Sequence, residues 1–522
     1  MYADIDHAYP CRPLKRLSIK ALIVLAIITS FGCARNQPFR TEFKSPPPKC
    51  ESSPSVVEPN LAACAVNRHI RAEEYDLLFI EFDDQGLLFP EPRRVARKDE
   101  TDWNGIPCET NNLAALDSRC YEYPQIEQLI KGLSEIATAA EGRGLSVVLF
   151  AHGWKHNADH RDRNLGDFRR QLQIASSVEI ASGQNRRVVG IFMAWRGQSL
   201  DIPWLENLSF WGRKYAAHRV AEGSSRALLG RLHAFWNSRN QGAFSRDQLQ
   251  KGARPKDRFL LIGHSFGGLV LFHALSTNFT VDLSVNQAKT NRQEDQRRFF
   301  DMVILLNPAI EAIRYTPLHR IVEQGSWNRY SAPTLVLITA QSDWATRIAF
   351  QFGRFINTLL ESEVSDEERD ANKKTPGHVR PYLTHFMSSS PQDDGACRDW
   401  KDPFSDGATQ AQQIEQMRRN LDIERDNDAE FFKQWSTSER RTSEVRAADA
   451  TDLQPKWIRH FCGGARLAHN IEYGSSPHAP VWNIQVTDPA IINGHNDISQ
   501  SILTNMLRQL YVDSVKYPYF AE

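Results

Sequence analysis

The sequence predicts an α/β fold in which helices cover both faces of a mostly parallel sheet. Short, continuously apolar segments, typical of strands buried on both faces, alternate along the chain with segments of helical spacing. One apolar segment also runs through a glycine-flanked serine directly into an apolar helix. The predicted strands are 75–82 and 87–89, which form a hairpin, then 145–150, 188–194, 259–262, 302–306, 334–339 and 481–486, with a helix over 123–140.

The chain is longer than such a fold requires, and its charge is balanced. It has 522 residues, with 63 Lys and Arg against 63 Asp and Glu, so the formal net charge is zero. No basic excess indicates nucleic acid as a partner. We expect one domain over 71–522, with insertions near 196–212 and 361–470, the second of them polar and placed before the last strand.

The first 33 residues resemble a bacterial export signal. Basic residues precede an apolar run at 21–28, which is too short for a comfortable membrane span and has the length of a signal-peptide core. The run closes with Ser30-Phe-Gly-Cys33, which resembles a lipobox except that the pattern prefers leucine at the position of Ser30. The resemblance implies lipidation of Cys33 and a membrane-anchored protein facing the periplasm or the cell exterior. A soluble periplasmic or secreted protein and an uncleaved anchor remain alternatives.

The segment after the signal and the cysteine content agree with export. Residues 34–70 are predicted to form a Pro- and Ser-rich tether that stays extended and solvated. Six of the eight cysteines remain when Cys11 and Cys33 are set aside, enough for three disulfides in an oxidising compartment. Fifteen connectivities are possible for six cysteines. Pairing between near neighbours favours Cys50–Cys64, Cys108–Cys120 and Cys397–Cys462.

The candidate nucleophile is Ser265, in Gly263-His-Ser-Phe-Gly267. The pattern lies between a predicted strand and a predicted helix, which is the context of a nucleophile elbow. Glycines are needed there because the serine backbone is strained and larger neighbouring side chains would collide. We therefore expect the hydroxyl at the carboxyl edge of the sheet, where the active sites of such sheets lie. A structural turn with a buried serine is the alternative.

The segment after the strand at 145–150 is a candidate oxyanion hole. The backbone N–H groups of Trp154 and Phe266 are the predicted donors, the second because it follows the nucleophile directly. The alternative is a strand-end turn in which His152 caps the sheet. Several side chains nearby could also form a metal cluster, namely His152, His156, His160, Asp159 and Asp162. Gly153 interrupts the helix that would align them, so no metal site is predicted.

An acid and a histidine follow two later strands. Asp343 comes after the strand at 334–339, and His495 comes after the strand at 481–486, where it is expected to open the C-terminal helix. A carboxylate in that position would hold the imidazole in its useful tautomer. Asp343 could instead cap a helix, and Glu311 is the alternative acid. Weaker candidates for the base are His385, His469 and His478.

These motifs resemble those of α/β-hydrolase-fold serine esterases and lipases, and the chain resembles exported bacterial lipoproteins of that group. The chain order Ser265, Asp343, His495 is that of the family. The resemblance covers roughly residues 70 to 510, with poor matching in the two insertions. It implies an α/β-hydrolase fold, an acyl-enzyme on the serine, no cofactor, and a small-molecule or lipid ester as the substrate.

The two insertions are the expected determinants of the substrate. The first carries the aromatic residues Trp195, Trp204, Phe210 and Trp211, which suit an apolar acyl chain or a movable lid and could equally be buried against helices. The second is rich in charge and is expected to contain solvated helix or loop, joined by the Cys397–Cys462 disulfide.

The leading hypothesis is hydrolysis of carboxylic esters. Thioesters, amides and acyl transfer to another alcohol would use the same three residues. A catalytically silent envelope protein that uses the fold as a binding scaffold is the hypothesis from another class. The sequence specifies no oligomeric state.

Overall fold

The computed structural model describes thirteen stretches of the chain, and every structural statement below concerns them. They are 37–50, 61–89, 124–196, 210–241, 256–288, 297–325, residue 327, 333–343, 365–390, 395–404, 408–445, 457–473 and 476–516. Four predictions therefore lie outside the described residues: the signal with Cys33, the Cys108–Cys120 disulfide, the aromatic segment around Trp204 and the side chains of Phe210 and Trp211.

A single sheet of eleven strands forms the centre of the molecule. The strands are β1 (His69–Arg71), β2 (Tyr75–Phe82), β3 (Leu145–Ala151), β4 (Arg187–Trp195), β5 (Arg258–His264), β6 (Met302–Leu306), β7 (Leu335–Ala340), β8 (His385–Ser389), β9 (Ile458–Phe461), β10 (Ala465–His469) and β11 (Val481–Val486). Their order is β1-β2-β4-β3-β5-β6-β7-β11-β8-β10-β9. The eight strands from β2 to β8 in that order are mutually parallel, and β1, β10 and β9 pair antiparallel at the edges. The predicted mostly parallel α/β sheet is confirmed.

Ten helices accompany the sheet within the described residues. They are α1 (Leu61–Val66), α2 (Pro124–Ala139), α3 (Arg163–Ala181), α4 (Phe210–Glu222), α5 (Ser224–Asn240), α6 (Phe266–Ala288), α7 (Ala312–Gln324), α8 (Asp366–Lys373), α9 (Gln410–Val445) and α10 (Ser501–Lys516). Short 3₁₀ turns lie at Pro376–His378, Arg380–Tyr382 and Gly395–Asp399. α6 is long and apolar enough to cross a membrane, but half of its apolar window is buried inside the protein.

Two apolar cores lie on opposite faces of the sheet because successive strand residues point to opposite sides. The strand β5 shows this alternation. Phe259 and Leu261 pack in the core that contains α2, α4, α5 and α6, while Leu260 belongs to the core that contains α3 and α10. Helices on both faces explain why the strands are almost continuously apolar rather than alternating.

The predicted hairpin after β2 is reduced to a single bridge between Phe82 and Leu88. β2 pairs instead with β4 over its full length, in parallel. The segment 87–89 therefore adds no strand, which corrects the sequence prediction for this element.

The N-terminal segment packs on the sheet and forms α1 and the start of β1, which corrects the predicted solvated tether for residues 37–50 and 61–70. Arg40 is 1% exposed, and its backbone N–H donates to Glu81 Oε1 at 2.6 Å. Its guanidinium lies 3.9 Å from the centre of the Phe79 ring and donates through Nε to the carbonyl of Ala158 at 3.0 Å. The predicted Cys50–Cys64 disulfide is formed and closes this segment against α1.

The second insertion contributes strands as well as polar helix. β8, β9 and β10 lie within it and extend the sheet beyond β11, although the sequence predicted no strand there. The predicted Cys397–Cys462 disulfide joins the turn at Gly395–Asp399 to the residue after β9. Arg459 in β9 is 1% exposed and pairs with Asp428 of α9 at 2.8 Å, so part of the charge in this insertion is internal.

Gly267 packs closely against the end of β3, so a larger residue at this position should destabilise the protein. A Cβ at Gly267 would lie 2.0 Å from the carbonyl oxygen of Ala151, whereas a Cβ at Gly166 in α3 would meet nothing within 4 Å. Gly267→Ala should lower the free energy of unfolding by about 1–3 kcal/mol, because backbone must move to relieve the overlap. Gly166→Ala is the matched control and should raise it by about 0.5–1 kcal/mol through helix propensity. Denaturant unfolding measures both, and a stabilised Gly267→Ala would contradict the packing.

Candidate active site

Ser265 occupies a strained turn between β5 and α6. Its φ is +56°, in the left-handed region that non-glycine residues seldom adopt. The Ser265 N–H donates to the carbonyl of Leu306 at 2.9 Å, and its own carbonyl accepts from the N–H groups of Ala309 and Leu269, each at 3.2 Å. The end of β6 and the first turn of α6 therefore hold the turn that presents this hydroxyl.

His495 lies between Ser265 and Asp343. Its Nε2 is 2.7 Å from Ser265 Oγ, and its Nδ1 is 2.8 Å from Asp343 Oδ2. A carboxylate accepts only, so Nδ1 carries a proton and the Nε2 lone pair is directed at the hydroxyl. The three side chains come from the carboxyl ends of β5 and β7 and from the loop after β11. Such a chain of hydrogen bonds can move a proton from Oγ to Nε2.

Burial differs among the three residues in a way that suits this chemistry. Asp343 is fully buried, and Ser265 is 3% exposed. The His495 side chain is 16% exposed, so the histidine is the residue of the three that solvent can reach most easily. His495 lies in a loop and not at the start of the C-terminal helix, because α10 begins at Ser501. We call residues 487–500 the His495 loop.

The alternative acid is paired elsewhere, and two of the alternative bases lie away from the serine. Glu311 precedes α7, and its Oε1 accepts from Lys214 Nζ at 2.6 Å. Burial by itself would raise the pKa of Glu311, but the charge and hydrogen bond of Lys214 outweigh burial and lower that pKa to about 2. His385 and His469 lie in β8 and β10, on the far side of β11 from the serine strand.

His152 ties the loop after β3 to the end of β4. Its Nδ1 donates to the carbonyl of Gly153 at 2.8 Å, and its Nε2 accepts from the N–H of Trp195 at 3.2 Å. The indole Nε1–H of Trp195 donates in return to the carbonyl of His152 at 3.0 Å, and the two rings stack. Trp195 is 2% exposed, so of the two roles predicted for this aromatic residue it has the buried one and does not lie in a loop over the cleft.

The histidines and acids after β3 form separate pairs. His156 Nδ1 lies 3.1 Å from Asp162 Oδ1, and Asp162 also caps α3 through the N–H of Asn164. His160 lies 3.4 Å from Asp159. Within the described residues, no group of three or more His, Cys, Asp or Glu has an arrangement that could hold a metal ion.

The backbone leading to Trp154 passes directly beside the serine. A Cβ at Gly153 would lie 3.0 Å from Ser265 Cβ and 3.0 Å from His264 Nδ1, tighter than ordinary contacts, so glycine suits this close approach. Phe266 begins α6, where backbone N–H groups point away from the helix toward its N-terminal end. These positions are compatible with Trp154 and Phe266 as oxyanion donors, and that role stays a prediction.

Three further residues bind the His495 loop, and no role was predicted for them from the sequence. Asn307 Nδ2 donates to the carbonyls of His495 at 2.9 Å and Gly494 at 3.2 Å. His264 Nε2 donates to the same His495 carbonyl at 3.0 Å. Ser342 Oγ accepts from the N–H of Gly494 at 3.0 Å. The sequence marks these residues only by position, since each lies at or just beyond the carboxyl end of a strand, where the site lies.

Comparisons with known proteins add little to this geometry. No protein-family model matches the chain, and no curated protein matches it. A solved structure of a Trichoderma reesei cutinase in complex with a C11Y4 phosphonate inhibitor shows 13% identity over 48% of this chain and 84% of the cutinase chain, with a TM-score of 0.17. At that TM-score the similarity establishes neither a shared fold nor a shared activity.

Two buried histidines make the stability of the site dependent on pH. Burial lowers the pKa of His152 to about 4 and that of His264 to about 3, against 6.5 for an ordinary histidine. Below pH 6.5 the unfolded chain therefore binds protons at these histidines that the folded protein does not bind. The contribution of the two histidines to the free energy of unfolding is present above pH 6.5 and is lost as the pH falls toward 4. Glu81 has the opposite effect on stability, because burial raises its pKa to about 7. The folded protein binds that proton more readily than the unfolded chain, so the contribution of Glu81 to the free energy of unfolding rises as the pH falls.

We expect the free energy of unfolding to fall between pH 7 and pH 5, with His264 responsible for roughly 2 kcal/mol of the loss. His264→Gln removes the titrating group and should reduce the loss by that amount. Denaturant unfolding of both proteins at the two pH values measures the difference. An equal loss in the variant would show that His264 is not a neutral buried group.

Proposed function

We propose that this protein is an α/β-hydrolase-fold serine hydrolase that cleaves carboxylic esters through an acyl-enzyme on Ser265. The observation that carries the proposal is the continuous pair of hydrogen bonds from Ser265 Oγ through the His495 ring to Asp343, at 2.7 and 2.8 Å. The left-handed backbone of Ser265 supports it, because such strain concentrates at functional sites.

The reaction begins with attack of Ser265 Oγ on the ester carbonyl carbon, while the hydroxyl proton passes to His495 Nε2. Asp343 orients the ring and stabilises the imidazolium. The oxyanion accepts hydrogen bonds from the N–H groups of Trp154 and Phe266, each worth about 10²–10³ in rate. Collapse of the intermediate breaks the bond to the leaving oxygen, which takes the proton from Nε2. Water then attacks the acyl-enzyme through the same proton transfers and releases the acid and Ser265.

The topology supports the proposed family. The nucleophile, the acid and the base follow β5, β7 and β11, in the chain order that α/β-hydrolases use. All three elements lie on the parallel part of the sheet, so their carboxyl ends meet at one edge.

An ester is the substrate class we favour among the acyl compounds that this chemistry could accept. Thioesters, amides and acyl transfer to an alcohol would use the same atoms. A catalytically silent scaffold is disfavoured because the serine, the histidine and the acid are all present and in contact. Export, lipidation of Cys33 and attachment to a membrane stay predictions from the sequence.

Hydrolysis of p-nitrophenyl esters by three variants tests the proposal. Ser265→Ala should lower kcat by roughly 10³-fold or more, since the nucleophile is removed. Asp343→Asn should lower kcat by about 10²–10⁴-fold, because an amide gives the imidazole the wrong hydrogen-bonding partner. Glu311→Gln is the matched control for the acid and should keep kcat per folded molecule within about threefold of the wild type.

The Glu311→Gln control is expected to be less stable than the wild type, because Glu311 pairs with the buried Lys214. Breaking such a pair destabilises a protein by about 3–5 kcal/mol, so kcat must be normalised to the folded fraction. A strongly reduced kcat in Glu311→Gln, together with a nearly wild-type kcat in Asp343→Asn, would identify Glu311 as the acid instead of Asp343. An active Ser265→Ala would reject the proposed nucleophile.

A further inference from the structure

The backbone of His495 is bound by residues that adjoin the other two members of the triad. His264, which donates to the His495 carbonyl, directly precedes Ser265. Ser342, which accepts from the N–H of Gly494, directly precedes Asp343. The segments that carry the proposed nucleophile and acid thus also bind the loop that carries the base.

Asn307 joins these contacts to the sheet. It follows β6, is fully buried, and has a φ of +42°. Its Oδ1 accepts from the N–H of Ala340 at the end of β7 at 2.8 Å, while its Nδ2 donates to the His495 carbonyl at 2.9 Å. Asparagine tolerates the left-handed backbone better than most residues and supplies a donor and an acceptor on one short side chain.

His264 can act only as a donor toward His495. A carbonyl oxygen accepts, so Nε2 must carry the proton, and Nδ1 has no hydrogen-bond partner within the described part of the chain. The His264 and His495 rings also pack at 5.3 Å between their centroids. The His495 carbonyl therefore receives two N–H donors, one from β5 and one from the residue after β6.

We propose that His264 and Asn307 are positioning residues that set the place of the His495 imidazole between Asp343 and Ser265. The inference rests on the proposed function, since it concerns the efficiency of that same site. Neither side chain touches Ser265 Oγ or the His495 ring nitrogens through a hydrogen bond, so both act through the backbone of the base.

The His495 loop needs such anchors. Residues 487–500 contain no helix or strand, and Gly494 has a φ of +78° with nothing within 4 Å of its Cβ position. The two hydrogen bonds of the ring fix the imidazole only if the backbone behind it stays in place. A displacement of about 1 Å at a reacting group can cost about 10²-fold in rate.

Substitutions at His264 separate positioning from general packing. His264→Leu removes the donor and fills its place with an apolar side chain, whereas His264→Gln retains an N–H donor near the position of Nε2. We expect His264→Leu to lower kcat for p-nitrophenyl esters by about 10–100-fold with KM within about twofold of the wild type. His264→Gln should recover kcat to within about threefold of the wild type.

Two further variants control the experiment. His273→Leu makes the same chemical change in α6, where the His273 ring packs against His218, and its kcat should equal that of the wild type. Asn307→Asp keeps the acceptor for Ala340 and removes both donors, so it should lower kcat by the same order as His264→Leu. If His264→Leu does not fold, a wild-type kcat in Asn307→Asp still counts against the inference.

A measurement without turnover keeps this inference distinct from the proposed function. His495 Nδ1 donates its proton to Asp343 at 2.8 Å, and this proton should give a downfield ¹H NMR resonance, which Asp343→Asn would identify by abolishing it. We expect that resonance to broaden or disappear in His264→Leu and to persist in His264→Gln and His273→Leu. Lack of ester hydrolysis by the wild type would overturn the proposed function, while the resonance would still test the positioning.

The inference is overturned if His264→Leu or Asn307→Asp keeps both the wild-type kcat and the resonance. It is also overturned if His264→Gln loses as much kcat as His264→Leu, because the effect would then not depend on the donor.

Discussion

The left-handed backbone at Ser265 is the constraint on which the rest of the site depends. It is maintained by hydrogen bonds with Leu306 at the end of β6 and with Ala309 in the loop that follows, and by the close approach of β3 to Gly267. The same turn aims the hydroxyl at His495 and brings the N-terminal end of α6 to the site. A Cβ at position 153 would crowd Ser265 and His264, and one at position 267 would overlap the backbone of Ala151, so both glycines favour the close approach of the loop after β3 to the serine.

The polar groups around the triad are neutral or paired, which suits a site of low dielectric. His152 and His264 are buried without a charge, because burial lowers the pKa of each, and Asp343 is buried against His495. An additional positive charge near His495 would disfavour the imidazolium that forms when Nε2 takes the proton. Neutral donors on the His495 carbonyl avoid that effect and still restrain the loop, because hydrogen bonds to a backbone carbonyl need no formal charge.

Strand ends could be predicted from the sequence because buried parallel strands are continuously apolar and the polar residue that follows stands out. Ser265, Asp343 and His495 were found in this way, and they lie in contact. β8 to β10 were not predicted because their segment is rich in charge, some of which is paired internally, as Arg459 is with Asp428. Arg40 was predicted to lie in a solvated tether because its partners, Glu81 and Ala158, are distant in sequence. Asn307 and His264 depend on equally distant partners in the His495 loop.

The central claim is that His495 activates Ser265 as the nucleophile. Incubation with a fluorophosphonate, digestion and peptide mass spectrometry test it most directly, because the probe requires a serine whose proton can be removed. The account predicts one phosphonyl adduct, on the peptide at Ser265, which is absent when the protein is unfolded beforehand. An adduct on another residue, or no adduct on the folded protein, would contradict the account.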